Sequence, residues 1–263
     1  MKLSMSNIAW GPEQDRAAYA LLQKYGFTGL EIAPTRIFPE QPYARLEEAA
    51  AWAQSIRAEY GLEVPSIQSI WYGRKEKLFG PPQERQALLE YTGAALRFAQ
   101  AIGCKNLVFG CPVNRNRPEG ADLEPALELF RALGDIAQTK SISIGLEPNP
   151  PIYRTNFMND IPSVLEIIQQ AGSPGLRLNL DMGALIENGE SLDLLTGRVS
   201  DISHVHISEP GLPPLKERRE LHQALRRLLE DEGYRGYVSI EMGRVEDMAE
   251  VERALSYVSE IFG

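Results

Sequence analysis

A short apolar segment, a polar or Pro/Gly-containing loop and an amphipathic stretch follow one another repeatedly along the chain. The apolar segments predict eight β-strands, near residues 3–8, 27–32, 64–70, 105–110, 141–147, 176–181, 201–207 and 236–242. Helical periodicity fills the intervals, at 13–25, 43–60, 83–102, 122–138, 158–171, 190–197, 217–231 and 247–261. This alternation predicts an α/β fold with a parallel sheet.

Eight strand–helix units in 263 residues match the size of one (β/α)₈ TIM barrel. We therefore expect one domain spanning residues 1–263, with a doubly wound sheet as the structural alternative. The segment Gly26–Glu31 resembles Gly233–Glu241, since each has a helix stop, a turn, a strand and a terminal carboxylate. A repeated unit of this kind favours a closed ring of equivalent units.

Alternation along the strands assigns several chemically active side chains to the inside of the barrel. In the fifth predicted strand Ile144 and Leu146 face the helices, so Glu147 faces inward. By the same parity, three further side chains face inward, each near the carboxyl end of its strand. They are Asp181, His206 and Glu241, on the sixth, seventh and eighth predicted strands. All four side chains should meet at the barrel mouth where these folds keep their active sites.

Three carboxylates packed together repel each other and lose hydration, and a divalent cation removes both problems. Three oxygen donors with one imidazole suit Mn²⁺, Mg²⁺, Co²⁺ or Zn²⁺ without choosing among them. We therefore predict one divalent metal ion bound by Glu147, Asp181, His206 and Glu241.

Further residues are candidates for contacts with a substrate. Glu31 ends the second strand and has either a substrate-binding or a structural role. His204 lies one step deeper than His206, where it either supports the metal site or contacts substrate. Gln68 has the same parity as Ser66, so its side chain is expected to face the lumen and is a candidate substrate contact. Trp10 either stacks on a sugar or packs in the core.

Arginines in the loop after the fourth strand form a separate candidate group. Arg115 and Arg117 are either solvated surface charges or ligands of a substrate phosphate. The sequence alone leaves both alternatives open.

Composition narrows the functional class. With 27 Lys and Arg against 36 Asp and Glu, the net charge of −9 disfavours a nucleic-acid partner. No apolar run approaches the roughly 18 residues of a membrane span, and no secretory signal is recognisable. Cys104 and Cys111 would lie about 23 Å apart if they bracket a strand, too far for a disulfide. We therefore expect reduced thiols and a cytoplasmic protein.

Four segments resemble the xylose-isomerase-like TIM barrels, a superfamily of sugar and sugar phosphate isomerases and epimerases. It includes ketose 3-epimerases, hydroxypyruvate isomerases, inosose dehydratases and endonuclease IV. The matching segments are Gly145–Pro148, Leu178–Gly183, His204–Glu209 and Val238–Met242. The resemblance implies that the four residues predicted as ligands bind one metal ion, often Mn²⁺. It also implies that Glu147 and Glu241 serve as the acid/base pair.

Two positions depart from the epimerase pattern. Epimerases of this family usually have a His three residues after the metal-binding Asp, where this chain has Ala184. They often have an Arg six residues after the metal-binding His, where this chain has Leu212. Since both family residues contact substrate, the departures concern substrate choice.

The predicted function is metal-dependent proton transfer next to a carbonyl of a sugar, sugar phosphate or sugar acid, through an enediolate. Such an isomerase or epimerase is preferred over an inosose-type dehydratase. An endonuclease-IV-like phosphodiesterase needs a histidine-rich metal cluster, and this chain has only three histidines. A sugar-binding barrel without turnover is the remaining alternative. The sequence is compatible with a homo-oligomer.

Overall fold

A computed structural model describes residues 1–263 as eight parallel β-strands surrounded by α-helices. The strands are β1 (Lys2–Ser6), β2 (Gly29–Glu31), β3 (Ser66–Ile67), β4 (Asn106–Phe109), β5 (Ser143–Leu146), β6 (Leu176–Asp181), β7 (Ile202–Ile207) and β8 (Tyr237–Ile240). The helices are α1 (Asp15–Lys24), α2 (Pro34–Ile37), α3 (Leu46–Tyr60), α4 (Pro82–Ile102), α5 (Glu124–Thr139), α6 (Ile161–Ala171), α7 (Met182–Asn188), α8 (Arg219–Asp231) and α9 (Met248–Phe262).

The strands close into a ring. Their order is β2-β1-β8-β7-β6-β5-β4-β3, and every ladder is parallel. Isolated parallel bridges, Gly29 with Glu63 and Ile32 with Ile67, join β2 to β3. The (β/α)₈ barrel predicted from the sequence is therefore confirmed.

The two faces of the strands differ as the alternation predicted. Leucines and isoleucines such as Leu107, Ile144 and Leu178 face the helices and belong to a core of 69 buried residues. The lumen instead holds buried small and polar side chains, namely Ser4, Ser66, Asn106, Asn179 and Ser239. This polar interior leaves room for charged groups at the mouth, unlike the bulky apolar filling usual for the fold.

One predicted helix lies elsewhere in the structure. The region predicted as a helix at 190–197 holds only a 3₁₀ turn at Leu192–Leu195, and α7 precedes it. Asp181 begins α7 because its carboxylate accepts the Ala184 N–H at 2.5 Å, and Gly189 ends it with φ of 63°. None of the helices combines the length and apolar character needed to span a membrane.

The third strand is shorter than the sequence indicated. The prediction covered 64–70, whereas β3 contains only Ser66 and Ile67. Pro65 has no N–H to donate to a ladder, and Ser69 adopts a positive φ of 45° that ends the extended backbone. The turn after β3 therefore begins early.

Candidate metal centre

The four predicted ligands converge at the carboxyl ends of β5 to β8. Glu147 and Glu241 directly follow their strands, while Asp181 and His206 lie within the last two residues of theirs. One ligand atom from each lies within 4.8 Å of the others. The His206 Nδ1 atom is 3.1 Å from Glu147 Oε1, 3.2 Å from Glu241 Oε2 and 3.9 Å from Asp181 Oδ2.

This donor set fits a divalent cation. His206 is fully buried, and the three carboxylate side chains are only 9–13% exposed, so water screens their repulsion poorly. Burial, reinforced by Glu147 and Glu241, raises the pKa of Asp181 to about 7 in the metal-free protein. Burial likewise raises the pKa of Glu241. The group could therefore hold a metal ion, whose positive charge would compensate the carboxylates.

Neutral side chains hold these ligands in place. Asn179 donates to Glu147 Oε1 at 2.7 Å, and Asn149 donates to Glu147 Oε2 at 3.2 Å. The Ser208 hydroxyl donates to Asp181 Oδ2 at 2.6 Å. These three residues were not among those predicted from the sequence.

Sequence spacing contained a signal for each of them. Asn179 is two residues before Asp181, and Asn149 and Ser208 are each two residues after a ligand. Side chains two positions apart in an extended chain share a face. Polar residues at that offset are therefore candidates for orienting a ligand.

Glu31 lies behind the candidate metal centre and is fully buried. Its Oε1 is 3.0 Å from His206 Nε2, and its Oε2 accepts the Ser239 hydroxyl at 2.8 Å. Burial alone would raise the pKa of Glu31, but His206 and His204 outweigh it and hold that pKa well below its ordinary value. An ionised Glu31 orients the imidazole so that Nδ1 faces the three carboxylates.

His204 is also buried beneath the site, with its Nε2 atom 3.4 Å from Glu31 Oε1. Its ring packs edge-on against His206 at 5.2 Å between centroids. The structure thus places both Glu31 and His204 among supporting groups, and neither lines the cavity described below.

Gln68 and Trp10, the other predicted substrate contacts, occupy different positions. Gln68 lines the cavity, donates to the Glu241 carboxylate and accepts from the Ser6 hydroxyl. Trp10 is 1% exposed and does not line the cavity; its indole N–H donates to Asp15 at 2.8 Å. Only Gln68 of these two lines the cavity.

The loop arginines take structural roles. Arg115 is fully buried, and its guanidinium donates to the backbone carbonyls of Glu147 at 2.8 Å and Phe109 at 3.1 Å. It also donates to the Asn149 side chain at 2.7 Å. Arg117 donates to the carbonyl of Ala121. The alternative that these two arginines form a phosphate site is therefore not supported, because both guanidinium groups are bound within the protein.

The two departures from the epimerase pattern have distinct surroundings. Ala184 is buried in the first turn of α7 and does not line the cavity. Leu212 lines it, with a positive φ of 59° and its carbonyl accepting the Gly243 N–H at 2.8 Å. Arg218 does not replace the missing cation, because it is paired with the buried Glu209 at 2.7 Å.

A cavity of about 370 Å³ opens above the four ligands. Three of them, Glu147, Asp181 and Glu241, form its floor together with Gln68. The other walls combine aromatic, apolar and polar residues, among them Ile8, Arg36, Tyr43, Tyr72, Tyr91, Val108, Asn149, Tyr153 and Leu212. This volume suits a small molecule.

Comparisons with known proteins agree with this architecture. The family described as "Xylose isomerase-like TIM barrel" matches residues 19–261. A human protein named "Putative hydroxypyruvate isomerase" is 31% identical over 238 residues, covering 82% of this chain and 79% of its own.

Solved structures show the same fold at lower sequence identity. A D-allulose 3-epimerase from Methylomonas sp. superposes with a TM-score of 0.79 at 19% identity, covering 99% of this chain and 96% of its own. A 3-keto-D-glucoside 4-epimerase from E. coli gives 0.76 at 20% identity, covering 99% of each chain. On the family match and the human relative, the chain belongs to the xylose isomerase-like TIM barrel family.

Proposed function

We propose that the protein is a divalent-metal-dependent isomerase or epimerase that moves a proton next to the carbonyl of a small polyhydroxylated substrate. The observation that carries this proposal is the convergence of three largely buried carboxylates on the floor of a small cavity with one fully buried imidazole beside them. The names of the relatives, a hydroxypyruvate isomerase and two sugar epimerases, support the same reaction class.

Glu147, Asp181, His206 and Glu241 would hold the metal ion, with Mn²⁺ as the favoured species. When bound, the ion supplies Lewis acidity that stabilises negative charge on the oxygens of an α-hydroxy carbonyl compound. All four groups are buried deeply enough that this charge stabilisation is stronger than it would be in water.

Glu147 and Glu241 carry the proton transfers in this proposal. They belong to β5 and β8, so β6 and β7 separate them around the ring, and both face the cavity. One carboxylate removes the proton from the carbon that bears the hydroxyl, and the C–H electron pair forms the enediolate. Return of a proton to the former carbonyl carbon, with transfer of the hydroxyl proton to the other oxygen, completes isomerisation. Return to the original carbon from the opposite face gives epimerisation.

Asn179 and Asn149 support Glu147 by donating one hydrogen bond to each of its oxygens. Gln68 donates to Glu241 and supports the second carboxylate in the same way. These contacts fix the orientation of the two bases, which general acid–base catalysis requires.

Deuterium exchange tests the proposal. Protein stripped of metal and reloaded with Mn²⁺ is incubated in D₂O with hydroxypyruvate and a panel of ketoses, and carbon-bound deuterium is followed by NMR. We expect metal-dependent exchange and formation of an isomer or epimer. Exchange accompanied by loss of a hydroxyl would indicate a dehydratase, and absence of exchange across the panel with metal bound would contradict the proposal.

The matched variants are Glu147→Gln and Glu241→Gln. Each keeps the side-chain shape but removes the basic carboxylate, so turnover at saturating metal should fall by about 10²–10⁴-fold. In the two-base case each variant still exchanges one C–H while net epimerisation stops. Near wild-type epimerisation by both variants would exclude these glutamates as the bases.

A further inference from the structure

Arg36 is the only Lys or Arg among the twenty residues that line the cavity above the metal centre. It lies in α2, directly after the loop that follows β2, and its side chain is 16% exposed. The rest of the cavity presents aromatic, apolar and neutral polar groups around the carboxylates. The cavity therefore has one cationic wall.

Two of the three guanidinium nitrogens of Arg36 donate hydrogen bonds within the protein, and the third has no hydrogen-bond partner. Its Nε donates to the Asn7 backbone carbonyl at 3.0 Å, and its Nη2 donates to Asp15 Oδ1 at 2.5 Å. Asp15 also accepts the Trp10 indole N–H at 2.8 Å, which fixes the carboxylate in turn. The buried Nη1 atom has no hydrogen-bond partner. A buried donor without an acceptor is costly, so an acceptor that a ligand brings to Nη1 would relieve that cost.

A chain of contacts connects this cation to the proposed catalytic groups. Asn7, which binds Arg36, directly follows Ser6 at the end of β1. The Ser6 hydroxyl donates to Gln68, and Gln68 donates to Glu241. Arg36, Gln68 and Glu241 thus line the same cavity, and contacts through Asn7 and Ser6 behind them connect the cation to the base.

We propose that Arg36 binds a carboxylate of the substrate, so that the preferred substrate is a hydroxy keto acid and not a neutral sugar. This inference rests on the proposed function and adds the chemical class of its substrate. The planar guanidinium matches a carboxylate in shape and charge.

A carboxylate fits this wall better than a phosphate does. Asp15 already compensates part of the Arg36 charge, and a phosphate ester would bring close to two negative charges into a cavity floored by carboxylates. No second cation is available there, since Arg115 donates to backbone carbonyls and Arg218 is paired with Glu209. One guanidinium suits one monoanionic group.

The experiment compares acids with neutral molecules that differ from them at one carbon. The pairs are hydroxypyruvate with dihydroxyacetone and D-fructuronate with D-fructose, and deuterium incorporation from D₂O is measured with Mn²⁺-loaded protein. Wild type should have the higher kcat/KM for the acid in at least one pair. Arg36→Gln should lower kcat/KM for that acid by about 10- to 100-fold, as expected for loss of a charge-assisted hydrogen bond. The value for the neutral partner should change less than about threefold.

Two further variants separate recognition from structure. Arg36→Lys retains the charge and should recover part of the loss for the acid. Arg74→Gln is the matched control, because Arg74 is also ion-paired, with Glu76, and stacks on the cavity residue Tyr91 without lining the cavity. It should leave the ratio of acid to neutral substrate unchanged.

A binding measurement keeps the inference testable if turnover is absent. Calorimetric titration with D-glycerate and with glycerol needs no reaction, and Arg36→Gln should weaken only the binding of the acid. Failure of exchange with intact, Arg36-dependent binding of glycerate would contradict the proposed function alone. Equal losses for acid and neutral molecules, or glycerate binding that Arg36→Gln leaves unchanged, would overturn the inference about Arg36.

Discussion

Replacing Glu31 tests whether a residue without access to the cavity controls the metal centre. Glu31→Gln keeps the size of the side chain, and an amide oxygen at the Oε2 position would still lie 3.1 Å from His206 Nε2. The same oxygen would accept the Ser239 hydroxyl. The substitution removes the negative charge behind the imidazole and puts an NH2 group where Oε1 was.

The expected magnitude follows from the loss of that charge. A carboxylate that accepts from a ligating histidine fixes its tautomer and raises its basicity, and mutating such a partner typically costs 10–100-fold in metal affinity. This factor corresponds to about 1.4–2.7 kcal/mol. Glu31 is fully buried, so its charge acts on His206 with little screening by water, and the full range is accessible.

Competition with a chelator at pH 8 measures the affinity, with Mn²⁺ as the probe. Glu63→Gln is the control. Glu63 is an exposed carboxylate that pairs with Gly29, the first residue of β2, whereas Glu31 is the last residue of that strand. Affinity equal to wild type in Glu31→Gln, with all four ligands intact, would refute the idea that Glu31 orients His206.

Four other perturbations have definite outcomes. A Cβ at Gly110 would lie 2.1 Å from Glu147 Oε2; Gly110→Ala should therefore displace that carboxylate and lower turnover by about 10²-fold with the fold retained by circular dichroism. Gly93→Ala, where the nearest atom is 3.8 Å away in a helix, should leave turnover unchanged and stabilise by about 0.5–1 kcal/mol. Arg115→Met removes the donor to the Glu147 carbonyl and to the Asn149 side-chain oxygen, and one of two donors to the Phe109 carbonyl. It should lower the free energy of unfolding by at least about 2 kcal/mol in urea titrations, and an unchanged midpoint would contradict its structural role. Metal affinity should rise with pH through about 7, because a bound metal must displace the proton that Asp181 retains at lower pH. Burial lowers the pKa of His206, but Glu241 and Glu31 outweigh burial and raise that pKa well above its usual value, so His206 also releases a proton to the metal. Calorimetry in two buffers should detect the released protons, and a pH-independent affinity would contradict this assignment.

The strand pattern predicted the barrel because its information is local. Alternation of apolar and polar residues fixes which side chains face the lumen, and the ends of parallel strands then meet at one mouth. This is why Glu147, Asp181, His206 and Glu241 could be grouped from the sequence and lie together in the structure. Their role as metal ligands stays a prediction.

The placement of side chains that depend on tertiary contacts could not be predicted from the sequence. Arg115 follows β4 in a polar loop, which suggests exposure, yet the loop folds inward so that its guanidinium binds backbone carbonyls. Helix α7 was not predicted, because Asp181 is both a predicted ligand and the residue that begins the helix. Arg36 has no distinguishing sequence motif, and only the structure shows that it lines the cavity and that its buried Nη1 has no hydrogen-bond partner.

Titration of metal-free protein with Mn²⁺, with bound metal and deuterium exchange into substrate measured together, tests whether one metal ion supports the reaction. Both signals should rise together and break at one equivalent per chain, and Asp181→Asn should shift both to higher metal concentration. Exchange that is complete before metal is added, or a break in bound metal that Asp181→Asn leaves unchanged, would contradict a single functional metal ion at Glu147, Asp181, His206 and Glu241.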